Sequence, residues 1–197
     1  MKNLTLITGG VRSGKSLLAE DLASKGKCPV YYFASMRIYE KDPEQLRRLE
    51  LHRKRRPADW ITVEAPSKAE QAIEALPDGK ACVIFDCVSL YITNILVATI
   101  GGAEHDQAME NTGKEENDDP YRNEAKVKQA IENLLNSMEK AKDKEFIIVS
   151  NEVGWGVVPE SALGRAFRDL LGLSNQRIAE RAESVILTIS GLPLKLK

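Results

Sequence analysis

Short apolar runs alternate along this chain with segments of helical periodicity. Leu4-Thr5-Leu6-Ile7-Thr8 opens it as an apolar, β-branched strand, and Leu17-Leu18-Ala19-Glu20-Asp21-Leu22-Ala23 follows as a good helix former. Residues 29–34, 82–86, 146–150 and 184–189 read as four further strands. Such continuous runs suit strands covered on both faces, as in a parallel sheet. Ile61-Thr62-Val63 predicts a shorter strand, and residues 192–196 a terminal edge strand, where Pro193 is tolerated. Helices are predicted over 44–55, over 67–76 before an Asp78-Gly79 turn, and from Ser89 onward. Another covers 124–141, with Val127, Ile131, Leu134, Leu135 and Met138 near the 3.6-residue period. Two more are predicted over 162–171 and 174–182. The alternation predicts an α/β, three-layer domain spanning 1–197, with right-handed crossovers and a mostly parallel sheet ending in a short antiparallel edge. Residues 101–123 break the pattern: they hold Gly101-Gly102 and Glu115-Glu116-Asn117-Asp118-Asp119-Pro120 with few apolar side chains. They read as a long, mobile surface loop, a solvated connector.

The first strand and helix are joined by Gly9-Gly10-Val11-Arg12-Ser13-Gly14-Lys15-Ser16, which fits G-x-x-x-x-G-K-[ST]. Glycines let backbone N–H groups turn inward around phosphate oxygens, and the helix N-terminus adds positive partial charge. Lys15 can reach β- and γ-phosphates, and the Ser16 hydroxyl can ligate Mg²⁺. A mere glycine-rich turn would leave the offset of Lys15-Ser16 unexplained.

Composition narrows the setting. Of 197 residues 43% are hydrophobic and 29% charged, with a net charge of -1, which argues against broad nucleic-acid or membrane-surface binding. No apolar run is long enough to span a bilayer, and the N-terminus lacks a secretory pattern, so a cytoplasmic location is expected. Cys28, Cys82 and Cys87 lack metal-site spacing and read as reduced thiols used mostly in packing.

Three further features could carry chemistry. Asp86 ends an apolar strand, where an acidic residue in nucleotide-triphosphate folds helps hold Mg²⁺; capping the next helix is its other reading. Asn151-Glu152-Val153-Gly154-Trp155-Gly156 follows the 146–150 strand and reads equally as a ligand-lining loop or as a turn packing Trp155 into the core. His52, one of two histidines beside His105, sits in Leu51-His52-Arg53-Lys54-Arg55-Arg56-Pro57. By pattern alone this is a solvated basic helix face with an incidental histidine. A neutral imidazole can also attack phosphorus, with adjacent cations neutralising the phosphates.

Taken together, these blocks resemble the bifunctional adenosylcobinamide kinase/adenosylcobinamide-phosphate guanylyltransferase family of cobalamin biosynthesis. The resemblance runs through Ile7 to Ser16, Tyr32-Phe33-Ala34-Ser35-Met36, His52 with Arg56-Pro57 and Trp60, and Thr62-Val63-Glu64. It continues with Asp86-Cys87, Thr93-Asn94, Asn151-Glu152-Val153-Gly154, Val158-Pro159-Glu160, Phe167-Arg168-Asp169, Asn175-Gln176-Arg177 and Ser190-Gly191. It implies a RecA-like P-loop NTPase fold, a trimeric assembly, and ATP, GTP, adenosylcobinamide and its phosphate as small-molecule partners. It implies that His52 becomes covalently guanylylated. It implies nucleotide contacts at Gly9, Gly10, Val11, Arg12, Ser13, Gly14, Lys15, Ser16, Ala34, Ser35, Met36, Arg53, Lys54, Arg55, Arg56, Glu64 and Asp86, with Mg²⁺ held by Ser16 and Asp86. The family often has Glu at the Asp86 position and Thr-Ser at Ser35-Met36, so the latter contact would run through backbone; 101–123 matches its variable region. Two other classes fit the phosphate loop: a small-molecule P-loop kinase that uses no histidine, and a non-catalytic nucleotide-binding switch.

Overall fold

The computed structural model describes residues 1–37, 46–47, 50, 53–54, 56–98 and 123–197. Seven strands form one sheet: β1 (Leu4–Gly9), β2 (Val30–Ala34), β3 (Ile61–Glu64), β4 (Ala81–Asp86), β5 (Lys144–Val149), β6 (Ser184–Ile189) and β7 (Leu192–Lys195). Their order is β3-β2-β4-β5-β1-β6-β7. Every neighbouring pair is parallel except β6 and β7, which are antiparallel. The first strand therefore lies inside the sheet, with β5 on one side and β6 on the other.

Among the described residues the helices with both ends defined are α1 (Lys15–Ser24), α2 (Ala69–Glu74), α3 (Val88–Val97), α4 (Glu124–Lys140) and α5 (Ala162–Arg181). Strand residues alternate between two cores, as the two-residue period demands. Val83 and Phe85 enter one core with Leu4, Leu6, Phe146 and Ile148, under α2, α3, α4 and α5. Cys82 and Ile84 enter the other with Ile7, Tyr32, Ile147 and Val149, under α1. Both faces of the central strands are thus covered, which is why those strands read as unbroken apolar runs, while the edge strands β3 and β7 are largely exposed. These are the three layers that the alternation of elements predicts.

Two predicted elements change. The helices expected over 162–171 and 174–182 are one helix, α5. Gly172 costs a helix about 1 kcal/mol, but Leu170, Leu171, Ser174, Asn175 and Ile178 are buried on both sides of it and hold the helix through. The Ser174 hydroxyl also donates to the Leu170 carbonyl at 2.7 Å. Helix α2 is shorter than 67–76, because Lys68 before it is left-handed with φ 52°. Of the helix predicted over 44–55, Leu46, Arg47, Glu50, Arg53 and Lys54 are described, all helical. The loop predicted over 101–123 lies outside the described residues except for Asn123, which is buried at the head of α4. Among the described residues no helix is long and apolar enough to cross a membrane.

A Cβ added at Gly172 would meet nothing within 4 Å. Gly172→Ala is therefore expected to stabilise the protein by about 0.5–1 kcal/mol. The urea midpoint should rise; a fall would mean that α5 needs a break there.

Candidate active site

The phosphate loop is shaped by what lies beside it. A Cβ at Gly9 would stand 2.4 Å from the Thr188 carbonyl oxygen and 2.7 Å from its Oγ1, with the backbone at φ 151°. Only glycine fits there. The Thr188 hydroxyl donates to the Thr8 carbonyl at 3.2 Å, so the Ser13 hydroxyl is the donor in its 2.7 Å contact with Thr188 Oγ1. Gly191 N donates to the Ser13 carbonyl at 3.0 Å. The turn between β6 and β7 thus buttresses the loop from behind, while Val11 and Arg12 project at its exposed tip. Gly14, left-handed at φ 98°, caps α1 and leads into Lys15 and Ser16.

Lys15 is 8% exposed, and its ammonium donates to the Gly10 carbonyl at 2.6 Å. Burial lowers its pKa, while the charges of Cys87, Asp86 and Glu152 act to raise it. The ammonium is a desolvated charge held against the loop at the start of α1, the arrangement that receives a phosphate. Ser16 follows it in the first turn of α1, half-buried.

The carboxyl edge of the sheet sets out the other residues in a row. Register aligns Glu64 of β3 with Ala34 of β2, and Ala34 with Asp86 of β4. Asp86 aligns with Val149 of β5, and Val149 with Ile7 of β1. Ligands of open α/β sheets collect along this edge. At about 4.8 Å per strand, β2 and β1 lie about 14 Å apart. The edge therefore carries an anion-holding station at the loop and a cationic one near β2 and β3.

Asp86 stands between them. The Tyr32 hydroxyl donates to Asp86 Oδ2, and the Arg56 guanidinium lies over the Tyr32 ring, 3.3 Å from its centroid. Burial, followed by the Asp86 charge, pushes the Tyr32 pKa up, so the phenol stays a donor. Arg56 Nη1 reaches Thr62 at 3.4 Å, and its buried Nε has no partner among the described residues. Arg53 pairs with Glu64 at 3.2 Å and Lys54 with Glu50 at 2.7 Å, both about half or more exposed. Such pairs are worth only about 0–1 kcal/mol and leave the cations available. His52 and Arg55 lie outside the described residues.

Ser35 and its neighbours are framework as well as edge. The Ser35 hydroxyl donates to the Cys87 carbonyl and accepts from the Cys87 N–H, both at 2.7 Å. Its N–H donates to the Asp86 carbonyl and its own carbonyl accepts from Asn94. Ala34 and Met36 beside it are half-buried. Cys87 is no nucleophile: burial, then the Asp86 charge, raises its pKa to about 11. All three cysteines are free.

Pattern reading missed Glu152 as a site residue. Its N–H donates to the Gly9 carbonyl at 2.9 Å, and its Oε1 accepts from Thr8 Oγ1 at 2.8 Å and from Asn175 Nδ2 at 3.3 Å. The loop around it had a signal, but the placing of β5 against β1 had none. Trp155 is 72% exposed, with Val157 and Val158 exposed beside it, so of the two equal readings of this loop the one that packs Trp155 into the core is excluded. The glycines on both sides leave the segment 154–158 outside the core.

The oxygen donors of Ser16 and Asp86 suit Mg²⁺, which keeps several waters and leans on substrate phosphates. Among the described residues no cluster of three His, Cys, Asp or Glu could grip an ion by itself. Tyr32 occupies one oxygen of Asp86, and a carboxylate has acceptor sites to spare.

A strand, a glycine loop and a helix start around a buried lysine, on the carboxyl edge of a parallel sheet, define a P-loop nucleotide-binding protein. The fold agrees with a solved structure described as a prototypical ATPase from the type III secretion system of pathogenic bacteria, at TM-score 0.51 and 10% identity, over 95% of this chain and 52% of that one. The family is given by sequence: residues 5–196 match the model described as cobinamide kinase / cobinamide phosphate guanyltransferase, and the chain belongs to that family of kinases and nucleotidyltransferases. It is 37% identical over 192 residues to the bifunctional adenosylcobalamin biosynthesis protein CobP of Pseudomonas aeruginosa, covering 98% of this chain and 96% of the relative. It is 36% identical over 198 residues to CobU of Escherichia coli K12, a bifunctional adenosylcobalamin biosynthesis protein, covering 98% and 99%.

The buried ammonium gives a test with a definite sign. A lysine whose folded pKa is lowered binds fewer protons folded than unfolded, so stability rises with pH up to the ordinary lysine value. Lys15→Met removes that cost. It should raise the urea midpoint at about pH 7, with the advantage narrowing toward about pH 10, while nucleotide binding is lost. A lower midpoint at neutral pH would show that Lys15 stabilises the fold.

Proposed function

We propose that this protein phosphorylates the aminopropanol hydroxyl of adenosylcobinamide with ATP or GTP, and then transfers GMP from GTP to the resulting phosphate through His52. The product is adenosylcobinamide-GDP. Family membership carries the choice of substrate. The observation that carries the chemistry is the desolvated Lys15 ammonium, held to the phosphate loop and faced by Asp86 and Glu152.

In the first reaction the loop N–H groups and Lys15 position the donor's terminal phosphates and stabilise the charge that spreads during transfer. Mg²⁺ arriving with the nucleotide would be held by Ser16 and Asp86 and would neutralise phosphate charge. In the second reaction neutral His52 attacks the α-phosphorus of GTP and pyrophosphate leaves. The phosphate of the corrinoid then displaces His52 from that phosphorus, so one hard transfer is split into two easier ones. Arg53, Lys54, Arg55 and Arg56 follow the histidine in sequence, and their positive charge would neutralise the triphosphate during the attack. Arg56 is pre-positioned for this by its seat on Tyr32, with Nε free to donate. The proposed setting is the cytoplasm and the proposed assembly a homotrimer.

Incubation with α-labelled GTP followed by denaturation should leave acid-labile label on the protein, and His52→Asn should carry none. Unlabelled wild type would exclude the histidine intermediate and leave a P-loop kinase of another kind.

A further inference from the structure

The two proposed reactions make different demands on a base. Phosphoryl transfer to an alcohol releases a proton from the acceptor hydroxyl. Guanylyl transfer to a phosphate does not, because that acceptor is already an anion. A residue serving the first reaction alone should stand beside Lys15, where the terminal phosphate of the donor lies, and should be held rigidly.

Glu152 meets these conditions. It lies just beyond the end of β5, and its N–H donates to the Gly9 carbonyl, which fixes it to the start of the phosphate loop. Its side chain is anchored through one oxygen only. Oε1 accepts from Thr8 on β1 and from Asn175 on α5, while Oε2 takes no hydrogen bond among the described residues. Both anchors are buried. Asn175 is itself fixed, accepting from the Ser150 hydroxyl at 2.5 Å and donating to the Asn151 carbonyl at 3.0 Å. Glu152 is half-buried, so the carboxylate is oriented yet open to a ligand. Its charge acts directly on Lys15.

We infer that Glu152 is the general base of the phosphoryl-transfer reaction, taking the proton of the acceptor hydroxyl; this rests on the two-reaction reading above. The hydroxyl oxygen forms its bond to the γ-phosphorus as the bond from that phosphorus to the β,γ-bridging oxygen breaks. The bonding pair leaves on the nucleoside diphosphate, and the proton passes to Glu152 and then to water. Asp86, already bound by Tyr32 on the neighbouring strand, is left for the nucleotide and its cation.

Glu152→Gln keeps an acceptor oxygen for Thr8 and Asn175 but cannot take the proton. Phosphorylation of adenosylcobinamide, followed with γ-labelled ATP and GTP, should fall roughly 10²–10⁴-fold in kcat. Guanylyl transfer from GTP to adenosylcobinamide phosphate, measured on the same preparation, should fall far less. Glu152→Asp, which retains a carboxylate set further back, should show the same split with a smaller loss and serves if the Gln variant does not fold. Equal loss of both reactions, or phosphorylation at the wild-type rate, overturns the inference. So does recovery of phosphorylation at raised Mg²⁺, which would make Glu152 a cation ligand. Failure of the wild type to phosphorylate adenosylcobinamide overturns the two-reaction reading itself, and this inference with it.

Discussion

The architecture of the site depends on one close approach: Gly9 passing Thr188 with no room for a side chain between them. Because β1 runs inside the sheet, the chain leaving it must turn within space already bounded by β6 and β5. That contact sets where the loop turns. The hydroxyls of Ser13 and Thr188, the Gly191 N–H and the Glu152 N–H then tie the loop to three different strand ends. The result is a rigid frame in which a buried ammonium can be held before any phosphate arrives. Pre-organisation of this kind moves the energetic cost of ordering the site into folding, away from the reaction.

A second constraint follows from the sheet. Glu64, Ala34 and Asp86 share one register, so Arg53 on Glu64, Arg56 on Tyr32 and the phosphate loop after β1 belong to the same edge. Asp86, Tyr32 and Arg56 form a continuous contact from the centre of that edge to its cationic end. Tyr32 is buried in the core under α1, yet its hydroxyl and ring face serve the two charges. A protein proposed to run two transfers on one edge has, in this residue, a physical link between them.

The legible parts were those written locally. The phosphate loop was readable because glycine, lysine and serine at fixed offsets have few other uses. The sheet was readable because strands covered on both faces must be apolar throughout, and the family followed from blocks spread over nearly the whole chain. Helix α5 was misread at Gly172, where local propensity lost to burial on both sides. Trp155 was ambiguous because an aromatic between glycines says nothing about which side of the chain is solvent. Glu152 and Tyr32 escaped because their roles are contacts between strands distant in sequence.

The amino-acid sequence alone determined the kind of protein this is: its strands, its phosphate loop, and its family. These depend on residue type and spacing within short windows, where backbone freedom and hydrophobic periodicity act. Only the tertiary structure decided which carboxylates face Lys15, which ring carries Arg56, and which threonine closes on Gly9. Those depend on strand order, and strand order is settled by packing the whole chain at once, through contacts that span as many as 180 residues.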